Sequence, residues 1–155
     1  MRLVSRSELE TEALGERLAG ALERGAVVGL KGPLGAGKTA LVRGIARGCG
    51  VAEGVVHSPT FLTAAEYDGR LPVTHLDLYR HETILPDPDW LAEILDGDGV
   101  AVVEWFERLG AEAPPDAIEI SIAYGDKTDS RVLEFAASGN ASSRILAALV
   151  AEGAS

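Results

Sequence analysis

The chain has 155 residues, 46% of them hydrophobic and 25% charged, which suits one globular core and argues against a disordered chain. Fourteen basic residues against 24 acidic ones leave a net charge of −10, which argues against the broad basic footprint of an autonomous nucleic-acid binder. No apolar run approaches the ~18 residues that span a bilayer, the opening Met1-Arg2-Leu3-Val4-Ser5-Arg6 has no apolar secretory core, and Cys49 has no second cysteine to pair with, so a cytoplasmic compartment is expected.

Ser7-Glu8-Leu9-Glu10 predicts a capping box opening a helix, with Leu14, Leu18, Ala21 and Leu22 on one apolar face and Gly25 as the residue past its end. Ala26-Val27-Val28-Gly29-Leu30 is apolar without alternation, the pattern of a strand buried on both faces. A glycine-rich stretch from Gly32 to Gly37 follows, and helical spacing resumes over residues 39–48 through Leu41, Val42, Ile45 and Ala46. After a turn at Gly54 the period changes to two, and residues 61–67 and 71–77 flank Asp68-Gly69, a hairpin signal. Asp87-Pro88 predicts the N-cap and first residue of a short helix through Leu95, ended by Asp96-Gly97-Asp98-Gly99. Residues 100–103 form a second unalternated apolar run, closed by Glu104. Residues 118–123 and 131–135 read as an antiparallel pair across Gly125-Asp126-Lys127, and residues 142–151 as a terminal helix. The sum is one α/β domain over residues 1–155, a mixed, partly antiparallel central sheet flanked by helices.

Gly32-Pro33-Leu34-Gly35-Ala36-Gly37-Lys38-Thr39 satisfies the phosphate-loop pattern G-x-x-x-x-G-K-[ST] in full, between a buried strand and a helix. Glycines let backbone N–H groups wrap a phosphate, and the helix adds its free N–H groups and the positive end of its dipole. Lys38 then offers a cation to the β- and γ-phosphates, and Thr39 a hydroxyl ligand to Mg²⁺. Such a loop needs a carboxylate at the end of a neighbouring strand. Glu104 and Asp77 both qualify, one to hold the metal and the other to orient water, and spacing leaves the two roles exchangeable. Ser58-Pro59-Thr60-Phe61 lies where nucleotide switches carry a threonine that senses the γ-phosphate. His57 and His75 can be read as metal ligands or bases, but more simply as hydrogen-bonded strand histidines; Trp90 and Trp105 read as core anchors, although Trp105 sits beside a site carboxylate, and Cys49 as an inert core residue.

The guanine-specifying motifs of small GTPases are echoed only superficially. Asp96-Gly97-Asp98-Gly99 precedes its strand instead of following it, and Asp126-Lys127-Thr128-Asp129 falls in a hairpin. A small-molecule kinase and a nucleotide-dependent assembly switch with little turnover stand beside an ATPase, although Arg43, Arg47, Arg80 and Arg131 are too scattered to form a kinase lid.

A longer set of motifs narrows the choice. Thr11-Glu12-Ala13-Leu14-Gly15, the phosphate loop, Ser58-Pro59-Thr60-Phe61, His75-Leu76-Asp77-Leu78-Tyr79-Arg80 and Glu104-Trp105 occur in an order and spacing that resembles the TsaE (YjeE) family, the bacterial ATPases of tRNA N6-threonylcarbamoyladenosine (t6A) biosynthesis. The likeness runs from Thr11 to about Leu109, with a proline-rich departure at residues 83–88. The resemblance implies ATP phosphates on Gly35, Ala36, Gly37, Lys38, Thr39 and Ala40, and Mg²⁺ on Thr39 and Glu104. It implies catalytic or switch roles for Lys38, Asp77, Glu104 and Thr60. Thr11 and Arg131 would lie near the base and sugar, and Trp105 and Arg80 near the nucleotide or a partner surface. It further implies slow ATP hydrolysis in support of the threonylcarbamoyl-transferase subunits TsaD and TsaB, which would hold the tRNA, and no membrane.

Overall fold

The computed structural model describes residues 1–56, 63–81 and 84–153. Seven strands form one sheet in the order β1-β7-β6-β2-β5-β4-β3. In chain order these are β1 (Arg2–Ser5), β2 (Val27–Lys31), β3 (Ala64–Tyr67), β4 (Val73–Asp77), β5 (Val100–Glu104), β6 (Ile118–Tyr124) and β7 (Arg131–Ala137). The inner strands β6, β2, β5 and β4 run parallel, whereas β1, β7 and β3 pair antiparallel at the two edges. Among the described residues there are four α-helices: α1 (Glu8–Ala21), α2 (Lys38–Gly48), α3 (Pro88–Leu95) and α4 (Asn140–Gly153). The mixed α/β sheet and every helix expected from sequence are present. Residues 57–62, which include His57, the Ser58-Pro59-Thr60 motif and the start of the expected hairpin, lie outside the described residues.

The two faces of the sheet bury separate apolar layers. Helices α1, α2 and α4 pack Leu18, Leu41, Ile45, Ile145 and Leu149 onto Val28, Leu30, Val102, Ile120 and Leu133. On the other face, Leu91 and Leu95 of α3, with Phe106 and Leu109, meet Val27, Leu76, Ala101 and Val103. This alternation fixes which strand residues can reach the α2 side. Val73, His75 and Asp77 share one face of β4, as Val100, Val102 and Glu104 share that of β5.

Local chemistry departs from the sequence reading in three places. The Ser7 hydroxyl accepts from the Glu10 N–H (3.1 Å) as expected, but the Glu10 carboxylate accepts from the N–H of Arg6 (2.7 Å), one residue before the box position. Helix α1 ends at Ala21, so Gly25 lies beyond its cap. There it takes a left-handed conformation (φ +85°) and donates its N–H to Gly99 O (2.9 Å). Strand β1 and the 3-10 segment Phe106–Glu112 were not expected, being too short or too irregular to show a period.

Helices α1 and α2 approach closely enough that a Cβ on Gly44 would lie 1.9 Å from Glu12 O, and one on Gly15 2.4 Å from Leu41 O. Across this contact Glu12 accepts from Arg43 Nε (3.0 Å) and from Arg47 (2.6 Å), and Arg43 also pairs with Glu8. Burial pushes the Glu12 carboxyl up, but the two guanidinium groups outweigh it and hold the group below its usual range.

Two stability predictions result. Gly44→Leu should cost about 2–3 kcal/mol by overpacking the helix pair, read from urea unfolding; an unchanged midpoint would mean that the close approach is not needed. Because the folded pKa of Glu12 is depressed, its stabilisation is present above the unfolded pKa and is lost as the pH falls through the folded value. Glu12→Gln should therefore unfold more easily near neutrality and show a flatter acid limb in thermal melts across pH 3–7 (roughly the range in which carboxylates titrate).

Candidate nucleotide-binding site

Strand β2 ends at Lys31, and the chain then turns through Gly32 (φ +147°), Gly35 (+76°) and Gly37 (+106°) into α2. Gly37 is the N-cap and makes no side-chain cap, so the first-turn N–H groups of α2 have no side chain folded over them. Three of the loop's carbonyls, those of Leu34, Gly35 and Ala36, face the β6–β7 hairpin. Tyr124 Oη donates to Leu34 O (2.6 Å), Arg131 Nε to Ala36 O (3.0 Å), and a terminal nitrogen of Arg131 reaches Gly35 O (3.4 Å). The guanidinium lies 4.8 Å from the centre of the Tyr124 ring, so the two side chains act as one brace. In a trans peptide the N–H points opposite to the C=O. Anchoring the carbonyls of Leu34 and Ala36 thus turns the N–H groups of Gly35 and Gly37 away from the brace. The Ala36 N–H closes a turn onto Pro33 O (3.2 Å), and the Ala36 side chain is packed in the core.

Lys38 is buried, and its ammonium donates to Gly32 O (2.5 Å) and Pro33 O (2.9 Å). Burial holds its pKa below the usual lysine range, although Glu104, Glu107 and Asp77 pull in the other direction. The same ammonium stands 4.2 Å from the centre of the Trp105 ring, whose other neighbours are Arg108 (4.5 Å) and the ring of Tyr79 (5.5 Å). Arg108 is fixed by Leu78 O (2.9 Å) and Tyr79 O. Trp105 has a left-handed backbone (φ +60°), unusual for a bulky residue, and it both packs on the apolar layer of the α3 side, as expected, and forms a cleft wall. Trp90, in contrast, is no core residue, being 36% exposed.

The carboxylates arrive through strand register. Leu30, Glu104 and Asp77 are aligned across β2, β5 and β4, so both acids stand at the carboxyl ends of strands next to the one that feeds the loop. This is where open parallel sheets bind ligands. Asp77 Oδ1 accepts from the Tyr79 N–H (2.9 Å), and Glu104 Oε2 lies 2.5 Å from His75 Nε2. His75 is thus the hydrogen-bonded strand histidine expected from sequence. Cys49 is buried as expected, and burial raises its thiol pKa.

A cleft of about 400 Å³ joins these parts. Thr11, Gly35, Gly37, Lys38, Thr39, Ala40, Asp77, Glu104 and Arg131 all line it. Ala36 is outside the lining, Arg80 is exposed and does not reach it, and Thr60 lies outside the described residues. The Thr11 hydroxyl is taken up by Ser5 Oγ (2.7 Å) and Ser7 O (3.2 Å). Sequence reasoning missed Glu8, Arg43, Tyr79 and Asp129 on the cleft wall, and Tyr124 behind the loop. The signal for Tyr124 would have been the tertiary packing of β6 beside β2, which no local motif carries.

Buried lysine, threonine hydroxyl, two carboxylates and unblocked N–H groups form a donor set that suits a magnesium-bound polyphosphate. If the brace shapes the loop, Tyr124→Phe should weaken ADP binding about 3-fold and Arg131→Ala about 10-fold in calorimetry, each with little change in thermal midpoint (roughly 1 kcal/mol per neutral hydrogen bond). Wild-type affinity in Tyr124→Phe would remove the tyrosine from this role.

Comparison with known proteins places these residues in a lineage. The family model for the threonylcarbamoyl adenosine biosynthesis protein TsaE matches residues 5–133. The TsaE protein of Treponema pallidum is 44% identical over 123 residues, 79% of this chain and 90% of the relative. That of Bacillus subtilis is 41% identical over 133 residues, 84% of this chain and 82% of the relative. The crystal structure of YdiB from Bacillus subtilis superposes with a TM-score of 0.83 at 30% identity, covering 99% of this chain and 95% of that one. The matched span contains the phosphate loop, both strand-end acids and Arg131 at its far end, and the chain belongs to the TsaE family of threonylcarbamoyl adenosine biosynthesis proteins.

Proposed function

We propose that this chain, as a single domain, is a cytoplasmic, Mg²⁺-dependent P-loop ATPase that supports formation of t6A in tRNA by acting on the TsaD and TsaB transferase subunits, with tRNA held by those partners. One observation carries the reading: a phosphate loop and two buried carboxylates in strand register meet in one cleft. The protein groups divide the work by chemistry. N–H groups of Gly35, Gly37 and the first turn of α2 would hold phosphate oxygens, and Lys38 would leave its two carbonyls to neutralise the β- and γ-phosphates. Thr39 and Glu104 would hold Mg²⁺, which when bound neutralises phosphate charge and fixes phosphate geometry. Asp77, oriented by the Tyr79 N–H, would accept a hydrogen bond from the attacking water, with Thr60 as a γ-phosphate sensor. Thr11 and Arg131, at the cleft wall, would flank the sugar and base. The acidic surface suits a protein that leaves tRNA to others.

Lys38→Ala should reduce ATP turnover by roughly 100-fold or more, in line with loss of a preorganised charge at transferring phosphate. Glu104→Ala should abolish Mg²⁺-dependent turnover while metal-free ADP affinity stays within about 3-fold, since the carboxylate would act through the metal. Equal losses in both assays would make Glu104 a scaffold residue. Following γ-³²P-labelled ATP separates the enzyme classes: label in free phosphate supports the ATPase, and label in a metabolite would replace it with a kinase. A pull-down with TsaD and TsaB, with and without ATP, tests the partner assignment; nucleotide-dependent binding that persists in a hydrolysis-dead variant would favour an assembly switch.

A further inference from the structure

Among the described residues, one buried side-chain polar atom lacks a hydrogen-bond partner, and it is Nδ1 of His75. The imidazole is fully buried on the α2 side of β4, between Val73 and Asp77 on the same face, with the Tyr67 ring 6.4 Å away. Its other nitrogen, Nε2, is 2.5 Å from Glu104 Oε2. An ionised carboxylate oxygen can only accept, so Nε2 donates its N–H to Glu104, and Nδ1 is left with no partner of its own. A valine or leucine would satisfy this apolar position without stranding a polar atom. The compensation for keeping an imidazole there must therefore lie in the one bond it does make.

That bond constrains Glu104 specifically. Glu104 ends β5 and lines the cleft, and free rotation about its last side-chain torsions would spread its two oxygens over several directions. The bond to His75 fixes Oε2 against the floor of the site and leaves Oε1 as the oxygen without that anchor. We propose that His75 is a positioning residue for Glu104. Its Nε2–H sets the orientation of the carboxylate, so that one oxygen stays committed to the protein and the other is presented to the metal ion of a magnesium nucleotide. The role rests on the assignment of Glu104 to metal binding made above. It is the arrangement by which histidine and carboxylate order one another around metals, here with the carboxylate as the ligand and the imidazole behind it.

The test combines a spectroscopic and a binding readout on the full chain. In ¹⁵N NMR of the metal-free protein, His75 should carry a slowly exchanging proton on Nε2. By electron paramagnetic resonance, His75→Leu should bind Mn²⁺–ADP roughly 10-fold more weakly than wild type, the lower end expected for loss of a group that orients a ligand. ADP affinity in excess chelator should change less than 2-fold. His75→Gln, whose side-chain N–H can reach the same oxygen, should recover most of the Mn²⁺–ADP affinity, and His75→Leu should add nothing in a Glu104→Ala background. The Nδ1–H tautomer, wild-type Mn²⁺–ADP binding in His75→Leu, or parallel losses with and without metal would each overturn the role. If His75→Leu fails to fold, the tautomer and the His75→Gln variant decide. A wild-type chain that binds no metal nucleotide would overturn the proposed function and this role together, whereas normal hydrolysis by both wild type and His75→Leu would overturn this role alone.

Discussion

Lys38 brings a charge, with almost none of its own surface exposed, to the wall of the cleft, and the rest of the site follows from how that charge is met. A buried ammonium needs hydrogen-bond acceptors and nearby negative charge, or its pKa collapses. Here the acceptors are two carbonyls of its own loop, and the negative charge comes from Glu104, Asp77 and Glu107. The two strand-end acids are themselves buried, so the cluster of Lys38, Asp77 and Glu104 carries one positive and two negative formal charges. A bare anion would find that balance unfavourable, whereas a phosphate accompanied by a divalent cation adds charge of both signs. This balance supports the proposal that the nucleotide is taken up as its metal complex.

Sheet topology makes this cluster possible at low cost in flexibility. Three adjacent parallel strands bring Leu30, Glu104 and Asp77 into one row, so the acids are positioned by backbone ladders and not by loops. The antiparallel hairpin of β6 and β7 solves a second problem. A loop rich in glycine is free to adopt many shapes, and Tyr124 and Arg131 tie down its outward carbonyls at Leu34, Gly35 and Ala36. The helix pair α1–α2 adds the third fixed element, because the small residues Gly15 and Gly44 let α1 approach until the Thr11 methyl lies near Gly37.

What the sequence makes legible is what short stretches of chain encode. The phosphate loop, the apolar runs of β2 and β5, the Ser7 and Asp87 caps and the strand-end acids are all local, and each is found in its expected element. Contacts made across the sheet leave no such trace. Nothing near Tyr124 announces that its hydroxyl will meet Leu34, ninety residues away in sequence. Nothing near His75 identifies Glu104 as its partner. Trp105 illustrates the limit from the other side: its size and its apolar strand suggest the core, and it does pack on the α3-side layer, but its ring also meets Lys38 and Arg108 at the cleft, which size and strand do not reveal. The edge strand β1 is four residues long and only its last residue is buried, too little for a period to emerge.

The arginines bear on how fast such a site can work alone. Phosphoryl transfer is accelerated most when a guanidinium is free to meet charge developing on the transferred group. Arg43 is engaged by Glu8 and Glu12, Arg108 by Leu78 O and Tyr79 O beside the Trp105 ring, and Arg131 by the carbonyls of the loop it braces. Moving any of these towards a phosphate would break contacts that hold the helix pair, the tryptophan or the loop in place. With Lys38 as the cation built into the loop, the proposed hydrolysis would have to be slow in the isolated chain, and an added positive charge from a bound partner is the direct physical route to a faster one.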